Sequence, residues 1–324
     1  MKRLRQSVAM RAAILLALAF VSISTGISLS FAQQTQETTA PSSRRAANSV
    51  MLTVTVTDRH RNYVKGLGQT NFTVSDGKQE QQINAFSDSD TPLSVGILLD
   101  TSMSVGKEGL KSTRDALKQF FQLSDQRNEY FLVGFGTKPK LLQDWTSDTG
   151  RLLNRIGNAQ NDGATALYDA CSLAVEKVLT GQHQKHVLIV ISDGLDTISN
   201  TNLAGLKHSL EESGVLLYAV SAQGIGSPGG RLVPQGRDVL EDLSATTGGD
   251  GFYLESAKQS NTVFEIIAIE LRNQYLIGFT PTAVDGKRRS LKVAVTLPAD
   301  APREMQSLIV RSRKSFYARA SQQP

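Results

Sequence analysis

The chain has 324 residues, of which 40% are hydrophobic and 20% charged. That is the make-up of an ordinary soluble protein, with residues enough for one large domain or two modest ones. The formal net charge is +5, from 35 Lys and Arg against 30 Asp and Glu, and a single cysteine excludes a disulfide within the chain.

The excess charge is local. Lys2, Arg3, Arg5 and Arg11 form a basic start without an acid, and an apolar run from Ala12 to Ser22 follows. Ser30-Phe31-Ala32 then offers small residues where a cleavage site belongs, so residues 1–32 are expected to be a secretory signal peptide. The alternative is an uncleaved anchor, for which the apolar run is short. No paired arginines precede the run, which points to the general export route, and no cysteine near Ala32 offers a lipid attachment. The expected product is secreted or periplasmic, with no stable membrane span after cleavage. Taking four charges from 35 leaves 31 basic side chains against 30 acidic ones, a net of +1. The compositional case for a nucleic-acid partner goes with them.

Residues 33–48, "QQTQETTAPSSRRAAN", are polar and aperiodic and read as a disordered linker. Residues 49–90 read as a small β segment. "SVMLTVTVTD" alternates and is β-branched, and Asp76-Gly77 marks a hairpin turn. From 91 to 273 the character changes. Apolar strands ("PLSVGILL", "NEYFLVGFG", "KPKLLQDWT", "KHVLIVISD", "VLLYAVSA", "GFYL") alternate with helical stretches ("GKEGLKSTRDALKQFFQL", "TALYDACSLAVEKVLTG", "NLAGLKHSLEESG", "GRDVLEDLSATTGG", "NTVFEIIAIELRNQ"). This predicts an α/β domain with a doubly wound, mostly parallel sheet covered on both faces. No element is assigned between "KPKLLQDWT" and "TALYDACSLAVEKVLTG". Residues 274–324 return to β in "QYLIGFTPT", "RRSLKVAVTLP" and "QSLIVRSRKSFYA", each read as one strand. The matching character of the two β-rich flanks suggests one small module.

Open α/β sheets bind ligands beyond the carboxyl ends of their strands, where strand order reverses. Two strands end in aspartate, "SVGILLD" at Asp100 and "VLIVISD" at Asp193. Ser102 and Ser104 follow Asp100 at alternate positions, and Thr165 stands ahead of a helix in "NDGATALYD". Asp100, Ser102, Ser104, Thr165 and Asp193 are all hard oxygen donors, with no thiolate or imidazole among them. Such a set suits Mg²⁺, with Mn²⁺ or Ca²⁺ as alternatives, over zinc or copper. Few carboxylates and several neutral hydroxyls leave a cation with positive charge and open positions, which a carboxylate from another molecule can fill.

"DTSMS", the threonine of "GATALYD" and the aspartate of "VISDG" resemble the metal-ion-dependent adhesion site of the von Willebrand factor type A domain family, over about residues 92–273. The resemblance implies that Ser102 and Ser104 ligate a divalent cation directly, Thr165 directly or through water, and Asp100 and Asp193 often through water. It implies a protein partner that supplies an acidic residue to the metal. The flanks resemble a bacterial secreted subgroup of the family. Many members carry Gly where this chain has Met103 and Met where it has Val105. The expected function is cation-dependent protein–protein interaction or adhesion, without catalytic residues. Two alternatives stay open: a metal-dependent phosphotransferase or hydrolase, and a structural envelope protein with an empty metal site. The first commonly needs a second acid two residues after the nucleophile, where this chain has Ser102.

Each nominated residue has a plainer reading. Ser102, Ser104 or Thr165 could cap the helix that follows, and Asp193 could stabilise a turn with Gly194. Asp169 and Asp196 stand outside the nominated set; Asp196 reads equally as support for the metal site or as a solvated loop acid. Gly224, Gly226 and Gly229 match Gly-x-Gly-x-x-Gly, but Pro228, Gly230 and Pro234 stand where a phosphate-binding helix must open. His183 and His186 read as a polar loop, "KRRSLK" (287–292) as the exposed face of a strand and turn, and Cys171 as a small buried hydrophobe.

Overall fold

The computed structural model describes residues 49–88, 90–160, 162–221, 234–254, 259–297 and 307–318. The expected signal peptide, the linker and the Gly224–Gly229 motif lie outside the described residues.

The central sheet takes its strands from β5 (Leu93–Asp100), β6 (Glu129–Phe135), β7 (Pro139–Thr146), β8 (Lys185–Ser192), β9 (Leu216–Ser221) and β10 (Gly251–Tyr253). Their order is β10-β9-β8-β5-β6-β7, and all run parallel except β7, which pairs antiparallel with β6. Every residue of β5 and β9 is buried, as strands covered on both faces require. Among the described residues six helices cover the faces: α1 (Gly106–Leu123), α2 (Thr149–Gly157), α3 (Leu167–Val178), α4 (Leu203–Ser213), α5 (Pro234–Thr247) and α6 (Gln259–Leu271).

The period-2 alternation of β5 sorts its side chains between two cores. Val95, Ile97 and Leu99 pack with Leu117 and Phe120 of α1, Leu152 and Ile156 of α2, and Phe264 and Ile267 of α6. Leu98 points the other way, into a core with Leu167, Cys171 and Val175 of α3, Leu206 and Leu210 of α4, and Leu240 and Leu243 of α5. Each such burial contributes about 1.5–3 kcal/mol for a Val, Leu, Ile or Phe side chain. The core position of Cys171 agrees with its reading as a hydrophobe, and burial pushes its thiol up to about 12.

Strands from the two flanks pair with one another. β1 (Val50–Thr57) lies antiparallel to β11 (Tyr275–Phe279), which also pairs with β4 (Ile83–Ser87). β2 (Phe72–Asp76) lies antiparallel to β12 (Arg288–Val295) and forms a hairpin with β3 (Gln79–Gln81), where Gly77 takes φ 59°. "QSLIVRSRKSFYA" is two strands rather than one: β13 (Ile309–Arg311) joins β1, and β14 (Ser315–Tyr317) joins β12. The two four-stranded sheets, β13-β1-β11-β4 and β14-β12-β2-β3, share a third core that includes Leu52, Val54, Phe72, Ile277, Phe279 and Phe316.

Buried polar groups tie this module to the central sheet. Glu270 of α6 accepts from Tyr218 of β9, from Arg311 of β13 and, at 3.4 Å, from Thr55 of β1. Glu211 of α4 takes a two-pronged bond from Arg288 at 2.7 and 2.8 Å and another from Ser315 at 2.7 Å. Arg288 and Arg289 of the "KRRSLK" stretch are therefore engaged with carboxylates, Arg289 with Asp76 and Asp285.

Candidate metal centre at the carboxyl edge of the sheet

The chain runs from β5 outward to β6 on one side, and the strand on the other side of β5 is β8. Strand order therefore reverses between β5 and β8, and their carboxyl ends bound the crevice where such sheets take ligands. Register pairs Leu99 with Ile191, so Asp100 and Ser192 end the two strands side by side.

Asp100 is 1% exposed. One carboxyl oxygen accepts the Ser102 amide at 2.9 Å and the other the Ser192 hydroxyl at 2.8 Å. Ser192 Oγ in turn accepts the Gly194 amide at 3.1 Å. Burial raises the Asp100 pKa, the bonds from Ser102 and Ser192 oppose that, and the charge of Asp193 adds to the rise. Burial likewise raises Asp193, against the bond from the Leu195 amide at 3.0 Å.

Ser102 is buried and Ser104 exposed, and their hydroxyl oxygens stand 2.9 Å apart. The N-cap position of α1 is Val105, whose side chain makes no capping bond. The N-cap position of α3 is Ala166 rather than Thr165. For Asp193 the plainer reading holds in part, because its carboxyl does brace the turn at Gly194. Gly194 has φ 82°, and a Cβ there would lie 2.1 Å from the Gly236 carbonyl oxygen. Only glycine lets this turn close against α5.

Backbone bonds join the three loops. Thr101 N–H donates to Phe135 O at 2.7 Å, Asp162 N–H to Thr101 O at 2.8 Å and Met103 N–H to Gly163 O at 3.4 Å. Thr165, 6% exposed, donates its amide to Thr197 Oγ1 at 2.9 Å, and Thr197 N–H returns a bond to Thr165 O at 2.9 Å. Ser192 and Thr197 hold this arrangement and escaped the sequence reading. Their roles depend on strand register and loop closure, which residue types alone do not reveal.

Asp196 and Asp169 fasten a neighbouring loop. Asp196 accepts from the Tyr168 amide at 3.1 Å and from the Ser199 hydroxyl at 2.5 Å. Asp169 accepts from the amides of Asn200 and Thr201 at 3.0 and 2.8 Å. His186 is the second residue of β8 rather than part of a loop, and His183 Nε2 bonds Arg127 O at 3.1 Å.

The donor set fits a hard divalent cation. Two carboxyl groups that burial drives toward the neutral form stand near enough to repel, and no basic side chain is among the influences on either. A divalent ion would supply the missing positive charge. Among the described residues no cluster of three His, Cys, Asp or Glu side chains forms, so the site would depend on its hydroxyls.

Residues 95–195 match the family model of the von Willebrand factor type A domain. No curated protein matches the chain. Among solved structures, the chain is similar to an aerotolerance-related membrane protein from Bacteroides fragilis, at 16% identity and a TM-score of 0.46, over 55% of this chain and 98% of that one. It is also similar to the vWF domain of the type V pili tip protein Mfa5 from Porphyromonas gingivalis, at 14% identity and a TM-score of 0.45, over 56% and 95%. A third is proximal thread matrix protein 1 from the mussel byssus with a zinc-occupied MIDAS motif, at 14% identity and a TM-score of 0.47, over 60% and 49%.

Proposed function

From the match of residues 95–195 to the von Willebrand factor type A domain model, we propose that the protein is an exported, divalent-cation-dependent protein-binding module. Asp100, Ser102, Ser104, Thr165 and Asp193 hold the cation, Mg²⁺ in preference with Mn²⁺ or Ca²⁺ as alternatives. A bound ion supplies a positive centre with open positions, and a glutamate or aspartate of the partner protein fills one. The chain's own residues fix the donors. Ser192 and the Ser102 amide orient Asp100, and the Thr165–Thr197 pair secures the second loop.

The observation that carries this reading is the meeting of Asp100, Ser102 and Ser104 beside Ser192-Asp193 at the switch point, with the two serine hydroxyl oxygens 2.9 Å apart. Neutral hydroxyls set beside a buried carboxyl group suit a hard divalent cation. No base or second acid stands at position 102, so the reading is of binding and not of catalysis. The test is thermal unfolding of residues 33–324 in Mg²⁺ and in chelator. Ligand bound only to the folded state stabilises by about 2.7 kcal/mol at a hundredfold excess over Kd. An equal melting temperature in both buffers, over millimolar metal, would count against the site.

A further inference from the structure

Away from the cation site, β1 and β13 of the flanking module face α6 and β10 across a cleft of about 430 Å³. That volume lies within the range of small-molecule sites, about 300–1,000 Å³. Register sets Thr57 opposite Ile309 and Thr55 opposite Arg311, so these four side chains share one face of their sheet. Ile266, Ile269 and Phe252 line the other wall. Ile266, Ile269 and Ile309 are 38%, 39% and 53% exposed, and all three gather in this one cleft. The outward side of α6 is the one in use, since Phe264, Ile267 and Leu271 of the same helix pack into the core of the central sheet.

The acids of the cleft are already engaged. Glu270 accepts from Arg311, from Tyr218 and, at 3.3 Å, from Tyr63, and Arg311 also pairs with Asp250. Arg61 differs. It is exposed at the rim, and no carboxylate among the described residues pairs with it. Its φ is 66°, and no other non-glycine residue among those described has a positive φ. The turn that holds it is tied down. Asp58 accepts the amides of His60 and Asn62 at 2.8 and 2.9 Å, Arg61 N–H donates to Asp58 O at 3.0 Å, and Tyr63 returns to pair with Thr57. Glycine suits such a backbone better, so an arginine held there points to a use for its side chain.

We propose that this cleft binds a small aliphatic monocarboxylate, with its chain against Ile266, Ile269 and Ile309 and its carboxylate on the Arg61 guanidinium. Mostly apolar walls with a few fixed polar groups are the usual make-up of such sites. Arginine meets a carboxylate through two parallel bonds, which an ammonium head or a hydroxyl does not reproduce. A cationic amphiphile would find both acids held by Arg311 and would meet Arg61 at the rim. None of the five cation-site residues lines this cleft.

The test is calorimetric titration of residues 33–324, in chelator, with octanoate, 1-octanol, octyltrimethylammonium and acetate. Octanoate should bind saturably at one site, about tenfold or more tighter than octanol, as a hydrogen-bonded charge implies. Octyltrimethylammonium should be the weakest of the three eight-carbon probes, and acetate should not saturate. Arg61→Gly relieves the turn, so it should bind octanoate no better than octanol while melting no earlier than the wild type. Arg61→Lys should recover part of the preference. Ile266→Ser should weaken octanoate and octanol together, which places the chain in the cleft. No saturable octanoate binding, an affinity no better than that of octanol or octyltrimethylammonium, or Arg61→Gly matching the wild type overturns the carboxylate site. Tighter binding of acetyl-leucyl-leucine than of octanoate overturns the assignment to a small free acid.

Discussion

Ser192 Oγ donates to Asp100 Oδ2 at 2.8 Å, joining the ends of two adjacent parallel strands at the reversal point of the sheet. The bond holds a buried carboxyl whose ionised form is disfavoured by burial and by Asp193. A group raised in the folded state contributes stability below its unfolded pKa and loses it as pH rises through the folded value. Ionising Asp100 therefore costs the fold stability as pH rises.

Replacing Asp100 by asparagine is expected to act in two opposite directions. The charge disappears, while the Ser102 amide keeps an acceptor and the Ser192 hydroxyl can turn to accept. Unfolding in chelator should need more denaturant than for the wild type, and the stabilisation by Mg²⁺, about 2.7 kcal/mol at a hundredfold excess, should vanish. Paired denaturant titrations with and without metal check both halves.

Gly194→Ala should damage the site through its backbone. The new methyl meets the Gly236 carbonyl oxygen at 2.1 Å, and φ 82° is strained for alanine. Asp193 is displaced with the turn. A loss of roughly 1–3 kcal/mol in stability is expected from the strain, together with weaker Mn²⁺ binding read by electron paramagnetic resonance.

The Glu270 cluster supports a prediction about the union of flanks and central sheet. Arg311 bridges Glu270 and Asp250, and Glu270 is 5% exposed. Arg311→Met leaves a buried carboxylate without its cation and should cost roughly 3–5 kcal/mol. Adding Glu270→Gln removes the stranded charge and should recover much of the loss. A double-mutant cycle in urea measures the coupling.

Lys185 opens β8 at the edge opposite the candidate site, 5% exposed, with its ammonium donating to Leu271 O at 2.7 Å. Burial lowers its pKa to about 7, opposed by the charges of Glu270 and Asp90. A lysine depressed on folding leaves the unfolded chain holding the extra proton between about 7 and its normal value. Stability from this group therefore rises with pH across that window and is lost as pH falls through about 7. Lys185→Met should flatten the slope by up to about 1.4 kcal/mol per pH unit between pH 7 and 10, read from unfolding free energies across that range.

What the residues disclosed, and what they hid, follows from locality. The apolar run ending at Asp100 and the run ending at Ser192-Asp193 mark their strands without reference to the rest of the chain. Helix α2 went unassigned because "DTGRLLNRIGN" is mostly polar and buries only Leu152 and Ile156. Asp148 gave the overlooked signal: it caps α2 by accepting the Arg151 amide at 3.1 Å. β13 and β14 merged into one expected strand because "LIVRSRKSFYA" has no glycine or proline to mark the break at Ser312-Arg313. Arg313 is buried there and donates to Glu211 O and Met51 O, a tertiary bond invisible to local pattern. At the site, the spacing of Asp100, Ser102 and Ser104 was legible, whereas the parts of Ser192 and Thr197 depend on register and loop contact.

The central claim is that Asp100, Ser102, Ser104, Thr165 and Asp193 form one cation site. Calorimetric titration of residues 33–324 with Mg²⁺ and Mn²⁺, beside Asp100→Asn and Ser102→Ala, tests it most directly. Saturable one-to-one binding is expected in the wild type, lost in Asp100→Asn and weakened about tenfold or more in Ser102→Ala, as removal of one ligand implies. Binding of equal strength in all three proteins, or no heat from any of them across millimolar metal, would contradict it.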